Sequence, residues 1–175
     1  MTAFDLDPVD RITADAVGEP GERTFFIQAA KGADVVTLLV EKQQVAALAR
    51  LIEQLLERVT EQHGPVTEAP EDAPSLTEPL EPAFRVGQIG VGYDADRDLV
   101  LLQCDEFVPE DEEEVVDPAI ARLWASREQM LGLAERGSAA VEGGRPTCSM
   151  CGKPIEPDGH FCPPSNGQKK IDSIP

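Results

Sequence analysis

Four residues near the C-terminus have the types and spacing of metal ligands. Cys148 and Cys151 are separated by two residues, so both thiolates can reach one ion from a tight turn, and His160 and Cys162 follow. Gly152 permits the positive φ such a knuckle uses, where amide N–H groups can donate to sulfur, and Gly159 loosens the backbone where the chain must fold back. Three thiolates and one imidazole suit tetrahedral zinc with no open position, so the expected site is structural and not hydrolytic. A single residue separates His160 from Cys162, one fewer than in a standard second knuckle. Phe161 must therefore point away if both are to bind, and Cys104 is an alternative fourth ligand. A redox dithiol fits less well, because the CxxC does not open a helix after a strand.

Other residues offer weaker chemistry. Glu110, Asp111, Glu112, Glu113 and Glu114 form an acidic run flanked by Phe107, Val108, Val115 and Val116, a mixture suited to docking a basic protein partner. Simple solvation explains the same run. Asp94, Asp96 and Asp98 resemble the start of a calcium loop. The sixth position is Leu99 instead of glycine and the twelfth is Asp105 instead of glutamate, so a polar hairpin tip is the better reading. Asp94, Asp96 and Asp105 would be the carboxylates of an enzyme, if a pocket brings them together. Arg145, Lys153, Lys169 and Lys170 gather in the cysteine-rich tail, which leaves nucleic-acid contact through the tail as a minor alternative. His63 fits a helix C-terminus, where positive charge is favoured. Trp124 fits a core strand. Gly87, Gly90 and Gly92 lie within a strand, where close backbone approach by a covering helix would require them.

The elements that must position these residues follow from periodicity. Residues 12–17, 23–30 and 34–41 are strand-like, the last two joined as a hairpin through Lys31-Gly32-Ala33. Val45, Leu48, Ile52, Leu55 and Val59 then share one face of a helix over 42–63, which Gly64-Pro65 ends. Residues 84–93, 98–104 and 119–125 repeat the strand pattern. A second helix follows, opened by a Ser126 to Gln129 capping box. The two helix openings, KQQVAALA and REQMLGLA, align in register. The expected fold is α+β, an internal repeat of two βββα units related by a pseudo-two-fold. Their strands form an antiparallel sheet covered by two helices, with a small C-terminal zinc knuckle. Body and tail divide at 1–142 and 143–175. The first unit spans 11–63, a Pro/Glu-rich solvated linker 64–82, and the second unit 83–142 with an acidic loop at 105–117.

Composition limits the function. Fifteen Lys+Arg against 33 Asp+Glu give a net charge of −18 over 175 residues, which argues against broad contact with nucleic acid or anionic membranes. A hydrophobic fraction of 41% supports a core and rules out wholesale disorder. No apolar run reaches membrane-spanning length, and the acidic N-terminus lacks the plan of a signal peptide, so a cytoplasmic protein is expected.

The stretches ERTFFIQA, VTLLVEKQQV, ARLWASREQM and above all CSMCGKPIEPDGHFCPPSNG resemble an uncharacterised, largely actinobacterial domain-of-unknown-function family of short acidic proteins. The resemblance spans nearly the whole chain. It agrees with the zinc reading and implies no activity. The expected function is a non-enzymatic adaptor or regulatory module that binds a protein partner and carries a structural zinc.

Overall fold

The computed structural model describes residues 2–66, 68–71, 74–111, 117–143, 148–152, 155, 159–162 and 170–171, with 160, 161, 170 and 171 described by backbone alone. Along the chain run β1 (Ala3–Leu6), β2 (Arg11–Val17), β3 (Thr24–Lys31), β4 (Asp34–Val40), α1 (Lys42–His63), β5 (Phe84–Asp94), β6 (Leu99–Glu106), β7 (Ile120–Ala125), α2 (Arg127–Glu142), β8 (His160–Phe161) and β9 (Lys170–Ile171). The class is α+β. Both helices begin on capping boxes, Glu41 with Gln44 and Ser126 with Gln129.

Seven strands form one sheet in the order β1-β7-β6-β5-β4-β3-β2. Strands β2 to β4 and β5 to β7 are antiparallel meanders, as short turns demand. The sheet is nevertheless mixed and not antiparallel throughout, because β4 pairs β5 and β1 pairs β7 in parallel. The long path from β4 to β5, through α1 and residues 64–83, leaves room to return in the same direction. The third strand of the first meander thus lies beside the first strand of the second, and the two run alike.

The two edge strands are consecutive in sequence. Six strand spacings would separate β1 from β2 by about 29 Å in a flat sheet, whereas the five Cα steps from Leu6 to Arg11 reach at most about 18 Å. The sheet therefore curls until its edges meet. Val9 N–H donates to the Trp124 carbonyl of β7 at 2.8 Å and Asp10 N–H to the Ala30 carbonyl of β3 at 2.8 Å, which stitches the seam. The inward-facing residues Ala14, Ile27, Leu38, Leu102 and Leu123 form one core with Leu48, Ile52, Met130 and Leu133 of the helices. Gly137 brings α2 close, since a Cβ there would lie 3.0 Å from Val45 and 3.5 Å from Ala14.

Several local expectations change. The described residues of 64–82 lie on the surface, but they are not solvated throughout. Thr77 is held by Gln28, which accepts from its N–H and donates to its carbonyl, both at 2.9 Å, and Ala83 N–H donates to the Thr37 carbonyl. Thr13, Gln28 and Thr37 form a polar row on the outer sheet face, and this strap lets Gln28 be fully buried. Strand β6 runs on through Glu106, so the acidic loop begins at Phe107 instead of Asp105. Trp124 lies half-buried on the outer face beneath Arg97, not in the core. Of the three strand glycines only Gly87 faces a close neighbour, and that neighbour is the Phe107 backbone instead of a helix.

Gln28→Leu tests the strap. It leaves the Thr77 N–H and carbonyl without partners, at about 2 kcal/mol. The expected result is accelerated hydrogen exchange at the Thr77 amide, ahead of the strand amides of β3.

Candidate metal centre

The last turns of the described chain form a small cluster separate from the main core: Cys148, Ile155 and Cys162 are buried, with Cys151 packed against them. The sequence Cys148-Ser149-Met150-Cys151 turns tightly, and Gly152 N–H closes it by donating to the Cys148 carbonyl at 2.9 Å. Gly152 at φ 72° and Gly159 at φ 94° take the left-handed conformations expected of them. The three sulfurs lie within 4.8 Å of one another, and Cys148 Sγ is 3.9 Å from Cys162 Sγ. A tetrahedral ion with metal–sulfur bonds of about 2.3 Å holds neighbouring sulfurs about 3.8 Å apart. A disulfide needs about 2.05 Å, so these thiols are unbridged and close enough together to hold one metal ion.

The electrostatics agree. Met150 N–H donates to Cys148 Sγ at 3.4 Å. Backbone N–H groups of Cys151 and Met150 hold the Cys148 thiol below its ordinary value, which favours the thiolate that binds metal. The Cys162 thiol is pushed up, first by desolvation and then by the Cys151 and Cys148 sulfurs beside it. An uncompensated thiol cluster makes its own ionisation more costly in this way, and a divalent cation would relieve that cost.

Cys104 does not belong to this cluster. It sits wholly buried in β6 opposite Ile89 and Ala121, within the main core, where desolvation pushes its thiol to about 12. The backbone of His160 lies in β8, paired with Ile171 of β9. The His160 side chain lies outside the described residues, as do the structures of Glu112, Glu113, Glu114, Arg145, Lys153 and Lys169 and the side chain of Lys170. Ile155 is a member of the cluster that spacing alone did not single out. An isolated isoleucine among polar residues is the one signal that could have found it.

The carboxylates considered for catalysis are not brought together. Asp94 pairs with Leu99 at one end of the β5–β6 ladder, and Asp105 opposes Gln88 near the other. Asp94 Oδ1 accepts from the N–H groups of Asp96 and Arg97, which makes it the organiser of a hairpin tip. A cleft of about 390 Å³ lies elsewhere, lined in part by Arg23, Lys42 and Arg85, and none of these carboxylates reaches it. Among the described residues, no helix is long and apolar enough to cross a membrane.

No curated protein and no solved structure matches the chain. A family described as "Protein of unknown function (DUF3090)" does match, over residues 4–162, which takes in the sheet, both helices and all three clustered cysteines. The chain belongs to this family.

Proposed function

We propose that the protein is a non-enzymatic adaptor or regulatory module of the cytoplasm, with an acidic α+β body that binds a protein partner and a tail shaped by structural zinc. The observation that carries this reading is the convergence of Cys148, Cys151 and Cys162 at ligand spacing. Zinc is favoured over harder cations by the thiolate set, and His160 supplies the fourth ligand, closing the shell against substrate. The cation's role is to fold a tail whose apolar content is too small to fold it otherwise. The two βββα segments serve as a duplicated scaffold. The partner contacts the acidic segment from Glu110 to Glu114, which follows the exposed Phe107 and Val108 in sequence.

The metal half of the reading is tested by native mass spectrometry of the purified protein, which should show one zinc per chain. Absence of metal, with the three thiols free to react quantitatively, would overturn it. The partner half is tested by direct binding of any protein recovered in replicate affinity captures. Charge removal over Glu110 to Glu114 should weaken that binding, and more so at low salt than at high salt. Binding indifferent to those charges would remove the acidic segment from the interface.

A further inference from the structure

The cleft of about 390 Å³ lies where the sheet opens: β4 and β5 pair through only two residue positions, and β4 ends there at the start of α1. Its walls come from the start of β3, the end of β4, the first residue of α1, the start of β5 and the end of α2. A strand that leaves the sheet for a helix beside a neighbour that continues leaves a crevice that side chains do not fill.

The lining has the opposite sign from the rest of the molecule. In a chain of net charge −18, Arg23, Lys42 and Arg85 converge on one crevice in which Glu41 is the single carboxylate among the described residues. Part of this charge has internal work. Arg23 donates to the Ala140 carbonyl at 2.6 Å, and Arg85 pairs with Glu41 at 2.7 Å. Each guanidinium carries five N–H donors, so both keep others for a ligand. Lys42 is exposed and has no partner among the described residues; as the first residue of α1 it also opposes the helix dipole. The half-buried Leu39 and Val141 supply the apolar part of the lining, while Phe25 is buried beneath the Arg23 guanidinium, 5.8 Å above its ring.

We propose that this cleft binds a small phosphate monoester with an apolar body, its phosphate held by Arg23, Lys42 and Arg85 and its body laid against Leu39 and Val141. Three cations against one carboxylate leave a local charge of about +2, which a phosphate monoester of about −1.5 to −2 neutralises and a carboxylate only half neutralises. Guanidinium forks match phosphate oxygens in pairs. The ligand is small because the surrounding acidic surface repels extended polyanions, nucleic acid among them.

The probes are phenyl phosphate, inorganic phosphate and benzoate, titrated calorimetrically into the full chain at low salt. Phenyl phosphate is expected to saturate at one site and to bind about tenfold or more tightly than either other probe, with affinity falling as salt rises. Lys42→Gln and Arg85→Gln alter exposed side chains, so the melting temperature should hold while affinity falls about tenfold for each. No saturation at millimolar phenyl phosphate, or undiminished binding in the double variant, would overturn the site. Equal affinity for inorganic phosphate would remove the apolar half of the proposal. Zinc content is unaffected by any of these outcomes, so this site and the metal centre stand or fall separately.

Discussion

The Cys162→Ser variant is expected to lose stoichiometric zinc while its body melts as the parent does. A serine hydroxyl is not ionised at neutral pH and cannot replace a thiolate, so one of the metal's strong bonds disappears. Second-shell changes alone weaken metal sites by about 10–100-fold, and loss of a direct ligand should exceed that. Structural zinc contributes apparent free energies of about 10–16 kcal/mol in small domains, which is folding energy for a segment whose core, among the described residues, is Ile155 and the sulfurs themselves. The loss should therefore appear as collapse of protection in residues 148–171, read by hydrogen exchange. Among the described residues the β-sheet and helices share no core cluster with the tail, so their melting temperature should move little. Two further variants locate the ligand set. Cys104→Ser should leave the zinc in place, since that thiol is enclosed by the main core. His160→Ala should release it if the imidazole completes the shell. Retention of a full equivalent of tightly held zinc by Cys162→Ser would refute the site.

Arg127→Met should be the most destabilising single change in the body. Arg127 is only 7% exposed, yet it is charged, and every observed contact explains why it is tolerated there. Its Nε and Nη2 donate to the Asp98 carboxylate at 2.8 and 3.1 Å. Nη1 and Nη2 donate to the carbonyls of Gly64 and His63 at 2.6 and 3.1 Å. The same guanidinium thus caps the C-terminal end of α1 and pins the β5–β6 hairpin, where Asp98 sits at φ 50°, an uncommon backbone state for a residue with a side chain. Removing one partner of a buried pair costs about 3–5 kcal/mol; with Asp98 partly exposed the lower end applies, about 3 kcal/mol, or about 6–12 °C in melting temperature for a chain of this size.

Acid should reveal the same pair. Hydrogen bonds from Arg127, and then from Tyr93, hold the Asp98 carboxyl below its ordinary value. A carboxyl depressed in the folded state stabilises it above the unfolded carboxyl's value, near 4, and that contribution fades as pH falls through the folded one. The gap between parent and Arg127→Met should therefore narrow below about pH 4. Urea melts of both proteins across the acid range measure it. A constant gap would mean that Arg127 acts only through the α1 carbonyls. Tyr93 adds nothing in that range: desolvation first, and then its bond to Asp98, push its hydroxyl to about 12, so it stays a donor.

Much of this architecture was written locally. The stripe from Val45 to Val59 placed α1 at Lys42–His63, because a period near 3.6 buries one face whatever lies opposite. Ser126 and Gln129 marked the start of α2 because a capping box is a three-residue interaction. Cys148, Cys151 and Cys162 were legible for the same reason. Thiols beside glycines that accept positive φ carry their own geometry, and the structure brings their sulfurs to ligand spacing.

What folding alone decided concerns partners distant along the chain. Arg127 reads as an ordinary charge in a helix's first turn, and nothing near it in sequence announces the carbonyls it meets 63 and 64 residues earlier. Gln28 reads as a polar interruption of a strand until Thr77 arrives to satisfy it. Parallel entry of β1 beside β7 has no local signature, since four residues of strand show no more than a weak alternation. Arg23, Lys42 and Arg85 become one basic cleft only because a curled sheet brings β3, β5 and the start of α1 to its opening. Sequence determines what neighbours along the chain can do to one another. Burial of a charge, satisfaction of a buried amide and the sign of a crevice depend on which distant groups the curled sheet carries into contact.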